Sequence, residues 1–379
     1  MKFLIFSIAL SILSGCNLNN ESKEPSIQIS GTIYGLNSDM ELILNNGEFL
    51  NISYSNDSHI HNLTIQPKLS NSANFEIAVS RQPENQHCLI ENQIEFSEEI
   101  SNYNIRIWCY DYWKSLNNVS AVSSGDDHSC AISNKELDCW GANNPYPHID
   151  LPNPTIISTG LNSSCAANNE NIICWNGNEK LSHQINTSKI VELEVSWNDN
   201  YCIINQEGLQ CLGSDNFLLA SPLNLVSPSH LSIGVSNACV IDEKQPVCWG
   251  FPSEAINLPP DLVEIDDISI SLHHGCATSF GQVTCWGDGG DYNAATVPSD
   301  LSYAYGIEVS NHNSCAITDT GIRCWGYDAG LSVIQYLVSN PSILSLGTFK
   351  HACAIENEKL ICSGDREQLI LPPSWNAIK

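Results

Sequence analysis

"SCAISNKELDCWG", Ser129 to Gly141, holds two cysteines with eight residues between them around a polar centre. The runs "CAI" and "LDCW" flank "SNKE", a hairpin pattern of short apolar strands on either side of turn-forming residues. With a two-residue loop at Asn134 and Lys135, Cys130 and Cys139 face each other as a non-hydrogen-bonded pair. Facing Cα atoms are then about 4.5 Å apart, a separation that a cross-strand disulfide fits. Zinc ligands, the other use of paired cysteines, are typically separated by two to four residues, with a second such pair nearby. The wider spacing points to disulfides.

The arrangement occurs seven times: Cys130 and Cys139, Cys165 and Cys174, Cys202 and Cys211, Cys239 and Cys248, Cys276 and Cys285, Cys315 and Cys324, Cys353 and Cys362. First members follow one another at 35 to 39 residues, so the chain is a repeat array. Each staple closes a small loop, worth about 2–3 kcal/mol on the chain-entropy model. Gly208, Gly281 and Gly321 stand near the turn in three copies and leave a bulged loop open there. Between hairpins run phrases such as "DLPNPTIISTG" and "TVPSDLSYAYGIEVS", a proline corner leading into an alternating strand. A unit of this length suits one four-stranded propeller blade. The expected fold class is therefore all-β: residues 117–379 as a seven-bladed β-propeller, closed so that no sheet edge is left open.

"VSNHNSCAITDTGIRCWG" (Val309 to Gly326) resembles the regulator-of-chromosome-condensation repeat, in the cysteine-bearing form common in secreted bacterial proteins. The copies are uneven. Tryptophan follows the second cysteine at Trp140, Trp175, Trp249, Trp286 and Trp325, but Leu212 and Ser363 replace it elsewhere. Asn176 stands where other copies have glycine, and a histidine two before the first cysteine occurs at His128, His274 and His351. The tryptophans, at fixed phase inside a strand, are expected to pack between blades rather than to bind sugars.

The first fifteen residues, "MKFLIFSIALSILSG", put one lysine before an apolar run ending in small residues, built as a secretory signal and too short to span a membrane. "LSGC" resembles the lipobox of bacterial lipoproteins. That resemblance implies cleavage before Cys16, acylation of Cys16, and, with Asn17 rather than aspartate next, an outer-membrane lipid anchor facing the periplasm or the cell surface. Residues 16–25 read as a polar tether. Residues 26–110 alternate apolar and polar positions with Gly- and Asn-rich turns, the pattern of an antiparallel sandwich. "SGTIYGLNSDMELILNNG" resembles the opening of a small β-sandwich module found ahead of repeats in bacterial surface proteins. The module's closing cysteine pair corresponds to Cys88 and Cys109, which implies their disulfide. "YDYWKSLNN", Tyr110 to Asn118, is the expected junction.

The chain carries 42 acidic and 15 basic side chains, a formal charge of -27, and residues 117–379 hold 29 acidic and nine basic. Such a surface repels phosphate backbones, so nucleic acid is excluded as a partner; it suits a basic protein. No serine elbow, phosphate loop or dinucleotide fingerprint is present, and no cofactor is expected. Adjacent on one strand, His273 and His274 point to opposite faces and cannot share a metal. Asp288 and Asp291 in "WGDGGDYN" read as turn chemistry rather than a calcium loop. The paired aspartates of "GDDHSC" and "EIDDIS" are expected by chance among so many acids. A catalytic channel would need acidic or aromatic residues enriched at one repeat position, which the aligned copies do not show. No catalytic residue and no metal site are expected, and the chain reads as a non-enzyme. The reading is a lipid-anchored interaction scaffold. It binds a protein partner through the loops after each "CWG", with Tyr146, Tyr292 and Tyr327 as candidate contacts. A glycan ligand, and after it a glycan- or peptide-acting envelope enzyme, are the alternatives.

Overall fold

The computed structural model describes residues 28–44, 47–54, 60–65, 77–84, 86–91, 102–141, 149–169, 171–177, 179–181, 189–196, 200–327, 333–348 and 351–364. The fold is all-β. Strands β1 (Gln28–Tyr34), β2 (Met40–Leu44), β3 (Phe49–Ile52), β4 (Ile60–Ile65), β5 (Ile77–Arg81), β6 (Gln86–Glu91) and β7 (Asn102–Leu116) come first. They form two sheets, β3-β2-β5 and β4-β1-β7-β6, with β1 and β7 parallel. Between them lie Ile33, Met40, Leu42, Ile105 and Ile107, alternate residues of their strands, with Leu36 from the turn after β1. Cys88 and Cys109 are paired across β6 and β7 and joined by a disulfide.

Seven antiparallel sheets follow, and their inner strands are Val119–Ser124, Ile156–Thr159, Ile190–Val195, Pro228–Ile233, Asp267–Ile270, Ala304–Val309 and Ile343–Leu346. Each inner strand packs beside the next and the last packs beside the first, which closes a seven-bladed propeller around a channel. Every blade interface has its own buried cluster. Cys130, Ile132, Ile157 and Trp175 fill the first, and Val119, Trp140, Ile355 and Leu360 the last. Trp140 and Trp175 are fully buried. Trp249 and Trp286 donate to carbonyls of the preceding blade, Leu218 O at 2.9 Å and Ala255 O at 2.7 Å.

All seven hairpins place their cysteines in direct register as disulfides with Cα–Cα separations of 4.0–4.1 Å. Asn134 and Lys135 both adopt positive φ, 52° and 66°, the two-residue loop whose twist matches the strands. Gly208 and Gly321, at φ 110° and 118°, close the bulged alternative, whereas Gly281 is a central residue of a two-residue loop.

One expectation is corrected. Four strands per blade are found only in the second blade, through Glu179–Leu181, and in the seventh; the described residues of the other five give three. Where an outer strand would run, the chain makes short helical turns at Asn216–Leu219, Glu254–Ile256 and Gly290–Tyr292, followed in the latter two by the proline corners. Proline removes a ladder donor, so these segments do not extend the sheet. The expected junction is part of a continuous strand. β7 runs unbroken from the sandwich into the propeller, pairing with β6 up to Asp111 and with Lys359–Gly364 from Asp111 to Leu116. A strand that precedes the first blade thus supplies the fourth strand of the last.

Candidate functional site

The propeller face that carries the post-tryptophan loops is organised by the glycine of "CWG". Gly287 and Gly326 adopt φ of 94° and 107°, and a side chain at either would strike the carbonyl of His273 or His312. Glycine alone fits, and the chain turns outward over the neighbouring loop. Asp288 N–H then donates to His273 O and Tyr327 N–H to His312 O, both at 2.9 Å. This placement gathers an aromatic patch from the fifth and sixth blades. The rings of Tyr292 and Tyr327 are 4.6 Å apart, Tyr292 meets His312 edge-on at 5.4 Å, and His312 lies over His273 at 6.3 Å. Tyr292 and Tyr327 remain 44% and 36% exposed. On the same face Phe217 and Phe251, from the third and fourth blades, meet edge-on at 5.2 Å while both stay exposed. Burial, and then the charge of His273, lower the pKa of His312.

Tyr292 and Tyr327 are therefore brought together, whereas Tyr146 and Cys16 lie outside the described residues. His273 is exposed in the patch and His274 is fully buried, its Nε2 2.9 Å from Ser314 Oγ in the next blade. No group of three or more His, Cys, Asp or Glu among the described residues lies close enough to hold a metal ion. Asp288 accepts from Gly290 N–H at 2.8 Å, as turn chemistry requires. Asp126 is pushed up to about 6 by burial and by Asp127. Of the other aspartate pair, Asp266 takes an exposed 2.8 Å ion pair from Lys244 and Asp267 enters the channel.

The inner strands carry one position in common. Opposite each first cysteine, the inner strand places Ser123, Ser158, Glu194, Ser232, Ser269, Glu308 and Ser345. The serines accept from a backbone N–H of the next blade: Thr159, Val195, Ile270, Val309 and Ser124, at 2.9–3.0 Å. Two positions hold glutamate instead. Glu194 accepts from Ser158 Oγ at 3.1 Å, and burial pushes it up to about 8, with that bond opposing and Glu192 adding. Glu308 is raised well above the usual carboxylate range by burial and by the charges of Asp267 and Glu194, against a bond from Ser269. Asp267 is raised by burial too, although Ile307 N–H donates to it at 2.9 Å. Glu192 accepts from Leu231 N–H at 2.7 Å. Glu194, Asp267, Glu308 and His230 line a cavity of about 360 Å³.

No family model matches the sequence, and no curated protein matches it. Solved structures do. The chain is similar to the propeller ectodomain of the Arabidopsis thaliana receptor kinase ACR4, with 16% identity and a TM-score of 0.55 over 68% of this chain and 99% of that one. The ectodomain of the Physcomitrella patens receptor kinase CR4 gives 19% and 0.51 over 64% and 71%. Prp20p of Saccharomyces cerevisiae, studied for its binding to Gsp1p and histones, gives 13% and 0.50 over 65% and 82%. These likenesses establish the propeller fold.

Proposed function

We propose that this chain is a lipid-anchored envelope propeller that holds a protein partner on its aromatic face. The carrying observation is the Tyr292–Tyr327–His312–His273 patch on a disulfide-stapled ring. Rigid, exposed aromatic side chains give contact area at low entropy cost, the composition that interfaces favour. The propellers of two receptor ectodomains and of Prp20p support a binding role by analogy of fold, but their partners do not transfer. The acidic balance of the propeller favours a basic protein and opposes chromatin DNA. In this reading Cys16 carries the lipid in the outer membrane and residues 16–25 are the tether.

The test is a pull-down from envelope and culture extracts with oxidised residues 26–379, beside a Tyr292→Ala, Tyr327→Ala variant and a control, Phe280→Ser, in a hairpin turn at the opposite end of the strands. A stoichiometric partner kept by the control and lost by the double variant supports the reading. An empty bait, or a partner retained by both variants, refutes the assigned face. An empty bait would be followed by a polysaccharide array for the glycan alternative.

A further inference from the structure

The channel holds a second feature that stands apart from the aromatic face. Glu194, Asp267 and Glu308 reach it from three blades, and among the described residues lining it there is no lysine or arginine. The first, second and seventh blades contribute apolar and hydroxyl side chains such as Val122, Ser123, Thr159 and Ser345, and the one imidazole is that of His230. Carboxylates enclosed without a counter-charge must take up protons or a cation.

A second, independent observation points to a ligand. Ser310, just past the end of the strand that carries Glu308, also lines the cavity. It is 6% exposed, and its hydroxyl has no hydrogen-bond partner among the described residues. The corresponding Ser196 of the third blade spends its hydroxyl on Gly234 O at 2.7 Å, and Ser271 of the fifth on His274 O at 2.9 Å. A buried hydroxyl left unpaired is costly and rare. Here it is a spare acceptor in the wall of the same cavity.

We propose that the central channel binds one organic cation, an ammonium or guanidinium group, among Glu194, Asp267, Glu308 and Ser310. A lone metal ion needs a tight ligand cage, and the acids do not form one. A guanidinium or ammonium spreads three to five N–H donors over several acceptors, which suits carboxylates and a hydroxyl distributed around a cavity of this size. The group could arrive on a free amine or on a side chain of a polypeptide, and the probes separate the two.

Purified full-length mature protein is titrated at pH 7 with agmatine, with the capped peptide acetyl-Gly-Arg-Gly-amide, with butyramide as neutral control, and with calcium chloride. Calorimetry is run in two buffers of different ionisation enthalpy. Agmatine, the peptide or both should bind, displacing on the order of one proton per site as the carboxyl groups ionise. Agmatine alone marks a free-amine site, and the peptide a side-chain site. Glu194→Gln with Glu308→Gln should weaken binding about 10-fold or more and abolish the proton release, and Ser310→Ala alone should weaken it while leaving the fold intact. Absence of binding by both guanidinium probes, an equal response to calcium or butyramide, or unchanged binding in the double variant overturns the proposal. None of these outcomes depends on the partner of the aromatic face.

Discussion

His351 Nε2 lies 2.8 Å from Ser129 Oγ, a buried hydrogen bond that joins the last blade to the first across 222 residues of sequence. Two other histidines at this position do the same: His128 meets Ser164 at 2.6 Å and His274 meets Ser314 at 2.9 Å. Each histidine is followed, one blade on, by a serine just before the first cysteine. Where histidine is missing, that next residue is Tyr201, Ala238, Gly275 or Ala352.

Removing one of these bonds should cost about 1–3 kcal/mol, because the partner stays buried. Ser129→Ala and Ser164→Ala are each expected to lower stability by that amount in denaturant unfolding under oxidising conditions. Ser363→Ala is the contrast. Its hydroxyl is fully buried without a partner among the described residues, so the substitution should be neutral or stabilising. Equal losses at all three sites would contradict the assignment.

Stability should fall at both ends of the pH scale, for different groups. Burial, aided by His351, holds His128 down at about 4, and burial with His273 and His312 does the same for His274. Unfolded imidazoles titrate near 6.5, so their contribution is complete above that value and is lost as pH falls through about 4. Glu194 has the opposite sign. Its pKa rises from 4.5 to about 8, so its contribution is complete below 4.5 and is lost as pH rises through 8. Thermal unfolding from pH 3 to 9 should show both limbs. Glu194→Gln should flatten the alkaline one, and an unchanged alkaline slope in that variant would count against the burial of this carboxyl.

Peptide mapping of the non-reduced protein should link Cys88 to Cys109 and each later cysteine to its partner nine positions on. Cys276→Ala with Cys285→Ala should cost about 2–3 kcal/mol. Any pairing between blades would be incompatible with the registers described.

A propeller expressed as residues 117–379 lacks the strand that pairs with Lys359–Gly364. It should melt about 5 °C or more below residues 26–379, and amide exchange over Lys359–Gly364 should accelerate most. Equal melting would show that β7 is dispensable to the ring.

The cysteine period and the Asn134–Lys135 loop could be read from the sequence because both are local. Hairpin register follows from turn length, and a constant period follows from equal blades. The His–Ser correspondence was equally visible, since it is a rule between adjacent units, but it shows only when each unit is compared with its successor. The channel acids were hidden by one residue. Glu194 stands eight positions before its cysteine and Ser158 seven, because the loop that Ser196 N–H closes onto Asn200 O is one residue longer than the loop from Gly125 to His128. Aligned on cysteines, Glu194 and Glu308 fall in different columns. The role of residues 111–116 was not legible at all, since their partner strand lies some 250 residues away and no local pattern encodes such a pairing.

That shared strand fixes an order of events. Every strand of the sandwich precedes Leu116, so the sandwich can fold while most of the propeller is still unmade. Once formed, it holds residues 111–116 extended, with one edge waiting. Blades accumulate along the growing chain, and the last of them is received by a template assembled at the beginning. The strand Lys359–Gly364 thus meets a prepared dock when it leaves the ribosome, and an array of similar units acquires a single starting point.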